Sequence, residues 1–261
     1  CRVVDPDEPP MSEYEKEHVE ILRKNAAECT LFLNRNDAFP ISKPGKVLLI
    51  GSGARDTLSF GGGSGSMESR YFTTCEEGLE EAGFEIVSKD WFFKFAEFKK
   101  NKHQQFIKYI FRLAEKYDCT ADHMSYGAVE PQPEYTISLD EYKADIAIYV
   151  VARNSSEGND RTVTKGDLYL TDSEVRDILY LNLKYDKFLL VLNTVGPVDL
   201  TPVKSVSNIL LLPPLGMVTG DILSDIILGK VNPSGKLATT WASVKDYKFI
   251  EEFGGIDNVR Y

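Results

Sequence analysis

The run Arg153-Asn154-Ser155-Ser156-Glu157-Gly158-Asn159-Asp160-Arg161 places a glutamate on a glycine-bearing loop between two arginines, with a second acid, Asp160, close by. A neighbouring anion raises a carboxyl pKa and a cation lowers it, so this mixture is suited to tuning a general acid/base. Gly158 gives the backbone freedom for a tight turn beside the carboxylate. The same residue types also make an ordinary charged surface loop, and spacing alone does not separate the two readings.

The elements around the loop favour chemistry. Ahead of it, Ile146-Ala147-Ile148-Tyr149-Val150-Val151 is an unbroken apolar run, the pattern of a strand buried in a parallel sheet. The loop leaving such a strand lies at the carboxyl edge of the sheet, where open α/β sheets place their ligands. Residues 47–50, 84–87, 188–192 and 209–212 read as further strands. Helical spacing follows Ser12 (Val19, Leu22, Ala26, Cys29) and returns from about Ser69 to Ala82, where Gly83 stops it. Two more helices are expected, Trp91 to Tyr117 with Phe95, Phe106, Ile110 and Leu113 on one face, and about Gly220 to Leu228. The polar, proline-bearing segment from Cys119 to Tyr135 reads as a loop. This alternation predicts an α/β fold, a mostly parallel sheet of about six strands with helices on both faces in flavodoxin-like layering.

Bulk properties narrow the partners. The 261 residues carry 40 acidic against 30 basic side chains, a net charge of −10, which argues against nucleic acid or an anionic membrane as the main partner. No apolar run reaches membrane-spanning length, and no charged-then-apolar leader opens the chain. Cys1, Cys29, Cys75 and Cys119 lack CxxC spacing, and only three histidines are present, so no metal site is expected. The thiols read as reduced and mostly core-filling. Cys1 reads as a lipidated residue or, more simply, a cut boundary. Ser12 and Glu15 form a capping box behind Met11, which reads as a natural start. A sequon, Asn154-Ser155-Ser156, beside the glutamate would be a poor place for a glycan; this points to a cytoplasmic setting, with secretion left open.

Four strings resemble known motifs and are set aside. Gly51-Ser52-Gly53-Ala54-Arg55-Asp56 begins like a dinucleotide fingerprint, but Asp56 stands where the third glycine must pack and would repel a pyrophosphate. Gly229 to Lys236 has five residues between its glycines, and Leu237 replaces the Ser/Thr that a phosphate loop needs. No nucleotide cofactor is therefore expected. Asp90 in Ser88-Lys89-Asp90-Trp91 reads as a helix cap. The basic, aromatic stretch from Trp91 to Tyr117 reads as a core-packing helix with a solvated lysine face rather than a single-strand binder.

Three segments in order carry a resemblance across about Glu17 to Trp241: Gly61-Gly62-Gly63-Ser64-Gly65-Ser66, then Glu157 to Arg161 with Gly166 to Glu174, then Gly229 to Leu237. Together they resemble family 3 glycoside hydrolases, the β-glucosidase and β-xylosidase family, in its second, α/β-sandwich domain. The resemblance implies that Glu157 matches the general acid/base of a retaining β-glycosidase, most simply a β-glucosidase acting on a β-linked glucoside or oligosaccharide. Asp160, Arg161 and Arg153 are then supporting groups, and Gly63, Ser64 and Gly65 match a loop at the sugar cleft. Gly229 to Leu237 becomes a structural turn. The aspartate nucleophile belongs to a (β/α)8 barrel of the same enzyme, for which this chain has no room, so the chain alone is expected to be inactive. On this reading residues 1–11 are an extension or a cut boundary, 12–245 the sandwich domain, and 246–261 the start of a linker. The order of barrel and sandwich stays open. The competing class is a non-catalytic carbohydrate-binding or scaffold α/β domain.

Overall fold

The computed structural model describes residues 10–62, 65, 67, 69, 71–125, 128, 130–155 and 161–243. Six strands form its sheet: β1 (Leu31–Asn34), β2 (Lys46–Ile50), β3 (Glu85–Ile86), β4 (Ile146–Arg153), β5 (Phe188–Thr194) and β6 (Ile209–Leu211). The helices are α1 (Glu13–Ala26), α2 (Cys75–Glu81), α3 (Lys89–Lys116), α4 (Ala121–Ser125), α5 (Asp172–Lys184) and α6 (Thr219–Ile227). Strand order is β1-β6-β5-β4-β2-β3, with every pair parallel except β1 against β6. The chain thus steps from β2 outward to β3, then crosses back to β4 on the other side of β2. That reversal makes the carboxyl ends of β2 and β4 a topological switch point, the crevice where open α/β sheets admit ligands.

The core follows from the apolar runs. All eight residues of β4 and all seven of β5 are buried, as central strands covered on both faces must be. On one face Trp91 stacks on Phe95, and Tyr135 meets both rings edge-on, joining α3 to the segment that leads into β4. On the other face α6 lies against α2, and Arg23 of α1 reaches the buried Asp221 and Asp225 of α6 at 3.0 and 2.8 Å.

Several expectations need correction. Asp90 does not cap α3: Ser88 holds the N-cap position, and Asp90 lies in the first turn, accepting from Tyr142 Oη at 2.8 Å and pairing with Lys94 at 2.7 Å. The helix expected from Ser69 begins at Cys75, because Thr74 closes a capping box with Glu77. The segment from Cys119 to Tyr135 contains the short helix α4. The thiols are less uniform than expected: Cys75 is buried, and burial pushes its pKa up to about 12, while Cys119 is half-buried and Cys29 exposed. Cys1 and residues 246–261 lie outside the described residues. Of the turn expected over Gly229–Leu237, residues 228–231 turn, with Gly229 at φ +70°; residues 232–237 carry no turn, and Gly235 N donates to Thr30 O at 2.8 Å.

Candidate active site

Strand lengths create the site. β2 ends at Ile50, opposite Tyr149, while β4 continues to Arg153, opposite Thr194 of β5. The chain leaving β2 folds over the space this leaves. Gly53 N donates to Val150 O at 3.0 Å, and Ser52 Oγ accepts from Ala152 N at 3.0 Å, so the turn extends the ladder. A Cβ on Gly51, at φ +101°, would stand 2.3 Å from Val150 O, so only glycine passes there. The amide of Gly53 is spent on the sheet and is not free to cradle a phosphate, and Asp56 is exposed and paired with Lys99. Further along, Asn193 of β5 is fully buried and fixes Leu58: its Oδ1 accepts from Leu58 N at 2.6 Å, and its Nδ2 donates to Leu58 O at 3.1 Å.

Between the two loops lies a cavity of about 410 Å³, walled by Leu58 and Gly62 on one side, Arg153 to Ser155 on the other, and Gln132 and Gly166 behind. Gly62 N donates to Ser155 O at 3.4 Å, which brings the glycine-rich loop against the start of the acidic one. Of the expected cleft residues, Gly63 and Ser64 lie outside the described residues; Gly65 donates its amide to Gly62 O at 3.3 Å, and a Cβ there would meet open space.

The loop after β4 is described at both ends. Glu157 and Asp160 fall within residues 156–160, outside the described residues; Arg153 and Arg161 flank them. Arg153 is buried, and its three nitrogens are engaged: Nε donates to Asp167 O at 2.8 Å, Nη1 to Ala152 O at 2.8 Å, and Nη2 to Glu174 Oε2 at 2.5 Å. Glu174 serves twice, because the same oxygen accepts from Thr171 N at 2.8 Å in the capping box of α5. Arg161 pairs through Nε with Asp167 Oδ1, and its Nη1 donates to Pro197 O at 3.1 Å in the loop after β5. Asp167 is fully buried, and its Oδ2 accepts from Thr162 N at 2.5 Å and Thr162 Oγ1 at 2.8 Å. A charge this deep is tolerable only when paired and hydrogen-bonded, and both acids meet that condition.

Arg153 and Arg161 are thus braces rather than free cations in the cleft. The sequence reading missed their partners, Asp167 and Glu174, and also Asn193. For Glu174 a signal existed, since Thr171-x-x-Glu174 spells a capping box, and for Asn193 the signal was a lone polar residue in an apolar strand. Asp167 stands in the resembled segment Gly166 to Glu174, which gives it no role of its own. Among the described residues no group of histidine, cysteine and acidic side chains could hold a metal ion.

Residues 29–258 match the glycosyl hydrolase family 3 C-terminal domain. The chain is 30% identical to beta-glucosidase A of Butyrivibrio fibrisolvens, over 91% of this chain and 30% of that protein. It is 26% identical to thermostable beta-glucosidase B of Acetivibrio thermocellus, over 88% and 27% respectively. In three dimensions it resembles beta-glucosidase 3B of Thermotoga neapolitana in complex with α-D-glucose, with a TM-score of 0.67 and 29% identity, covering 88% of this chain and 32% of that one. The chain therefore spans about a third of the length of the relatives it matches. With a six-stranded sheet of this order and this match over nearly its whole length, the chain belongs to glycosyl hydrolase family 3, to the family's C-terminal domain.

Proposed function

We propose that this chain is the acid/base-bearing domain of a retaining β-glucosidase, and that Glu157 is the acid/base. The observation that carries the reading is the tethering of residues 154–161 at both ends, by buried arginine–carboxylate pairs, beside the cavity at the switch point. A loop anchored so firmly at the ligand-binding edge of a sheet suits a group that must meet a substrate at a fixed place.

In a retaining enzyme a nucleophile attacks the anomeric carbon while an acid protonates the departing oxygen; the acid, now a base, then activates water. The two carboxyl groups must come within about 5–5.5 Å of each other. In this reading the nucleophile stands on a (β/α)8 barrel of the same enzyme, and the substrate is a β-linked glucoside or oligosaccharide held between the two parts. Glu157 gives a proton to the departing oxygen and later takes one from the attacking water; Arg161 and Arg153 hold its loop. The glycine-rich loop at Gly62 forms one lip of the cavity.

The test is made in the barrel-bearing enzyme. Glu157→Ala is expected to lower kcat/KM about 10²–10⁴-fold for glucosides with poor leaving groups, to spare kcat/KM for well-activated aryl glucosides, and to yield glucosyl azide when azide is added. Wild-type behaviour in that variant would remove Glu157 from the mechanism. The isolated chain is expected not to turn over an aryl β-glucoside; turnover abolished by Glu157→Gln would show that no barrel is needed.

A further inference from the structure

We infer that Asp167 is a positioning residue for the acid/base step, acting through Arg161 and Thr162 on the exit of the loop that carries Glu157; this rests on the acid/base reading above. Asp167 touches both ends of that loop. Its side chain takes Arg161 Nε on one oxygen, and Thr162 N and Oγ1 on the other at 2.5 and 2.8 Å. Its main-chain carbonyl takes Arg153 Nε at 2.8 Å on the entry side. The described ends of the loop, Arg153 on the entry side and Arg161–Thr162 on the exit side, are therefore joined through a single buried residue. A short segment pinned at both ends samples far fewer arrangements than one pinned at a single end, and misplacing a catalytic group by even an ångström costs rate steeply.

Asp167 stands back from the cavity. It is fully buried and is not among the described residues that line the cavity at the switch point. Its turn is itself fixed from behind. Gly166, at φ +87°, passes so close to Gln132 that a Cβ would stand 2.4 Å from Gln132 O, and Gln132 N donates to Gly166 O at 2.9 Å. On the far side Asp199 N donates to Leu168 O at 2.9 Å. The carboxylate is held on a rigid ledge and holds the loop in turn.

A residue that positions the acid/base has a kinetic signature that general loosening lacks. Cleavage of a poor leaving group needs the proton, whereas a well-activated one departs without it. In the barrel-bearing enzyme, Asp167→Asn is expected to lower kcat/KM about 10–100-fold for an alkyl β-glucoside, and less than about 3-fold for 2,4-dinitrophenyl β-glucoside. On the activated substrate kcat and KM should fall together, because the glycosyl-enzyme accumulates when the base is misplaced. Thr162→Val, at an exposed position, removes only one of the bonds to Asp167 and should show the same pattern with about a 3–10-fold loss on the alkyl glucoside.

Equal losses on both substrates with KM unchanged, or no loss in either variant, would overturn the inference. If Asp167→Asn does not fold, Thr162→Val decides alone by the same criterion. Glu157→Ala is run alongside. Should it lack the leaving-group split, the acid/base reading itself fails; should it show the split while the Asp167 and Thr162 variants do not, only the positioning role is lost.

Discussion

The loops that leave the neighbouring strands β2 and β4 face one crevice, yet different forces hold them there. The β2 turn is held by shape: Gly51 and Gly53 press against Val150 so closely that added Cβ atoms would stand 2.3 and 2.8 Å from its atoms. The β4 loop is held by charge, with Arg153 on Glu174 and Arg161 on Asp167, both acids buried. Contact of the first kind leaves no polar group to spare and suits a wall. Pairing of the second kind fixes the ends of a loop and leaves the residues between them to chemistry. A glycine-rich turn after a buried strand thus invites a nucleotide reading from its spelling, whereas here the Gly53 amide serves the sheet.

The largest expected effect breaks the charged side. Glu174→Ala strands the Arg153 guanidinium, whose side chain is only 2% exposed, and should cost about 3–5 kcal/mol in urea unfolding. Loss of one capping-box partner of α5 adds to it. A cost below about 1 kcal/mol would mean that the pair does not anchor the loop.

The next effect breaks the shaped side. Gly51→Ala forces a side chain into a positive φ and against a backbone carbonyl, which should cost about 2–4 kcal/mol by the same measurement. The two variants should differ in kind as well. In the barrel-bearing enzyme the folded fraction of Gly51→Ala should keep the wild-type ratio of rates on good and poor leaving groups, because its turn carries no group that moves a proton. A change in that ratio would show that the wall and the loop are not separable.

How far the sequence revealed this division depends on the range of the interaction. Strands β2, β4, β5 and β6 were legible because burial on both faces demands unbroken apolar runs, and α1 because Ser12 and Glu15 spell its start. β1 was not anticipated: its four residues, none of them fully buried, gain strand character from antiparallel pairing with β6, far away in sequence. Asp90 does not cap because the helix begins at Lys89, one residue before it, leaving the acid in the first turn for Tyr142 and Lys94; the Ser88 side chain is spent on Leu49. At the site, the arginines were legible as supporting groups, but not the acids that hold them. Arg153 finds its partners 14 and 21 residues on and Arg161 finds Asp167 six residues on; the types were visible, but which acid meets which arginine is decided by the fold.

The smallest expected effect concerns what stands behind the loops. Behind the β2 turn the strand is apolar from Val47 to Ile50; behind the β4 loop lies a buried polar chain. Tyr149 of β4 shares a hydrogen bond of 2.9 Å with Tyr135, whose hydroxyl also donates to Asp177 Oδ2 at 2.9 Å, one helical turn beyond Glu174. Burial raises the Asp177 pKa above its ordinary value, although Arg176, at 2.7 Å, and Tyr135 oppose the shift. A carboxyl whose folded pKa is raised contributes stability that is fully present below its unfolded value, about 3.9, and is lost as pH rises through the folded one. Asp177→Asn keeps an acceptor for Tyr135, cannot ionise, and returns the half-exposed Arg176 to water. The variant should therefore gain in Tm on wild type as pH rises above about 4. A difference in Tm that stays constant over that range would show that Asp177 is ionised in the core at no cost, held by Arg176. The polar chain would then depend on a charge pair, as the loop above it does.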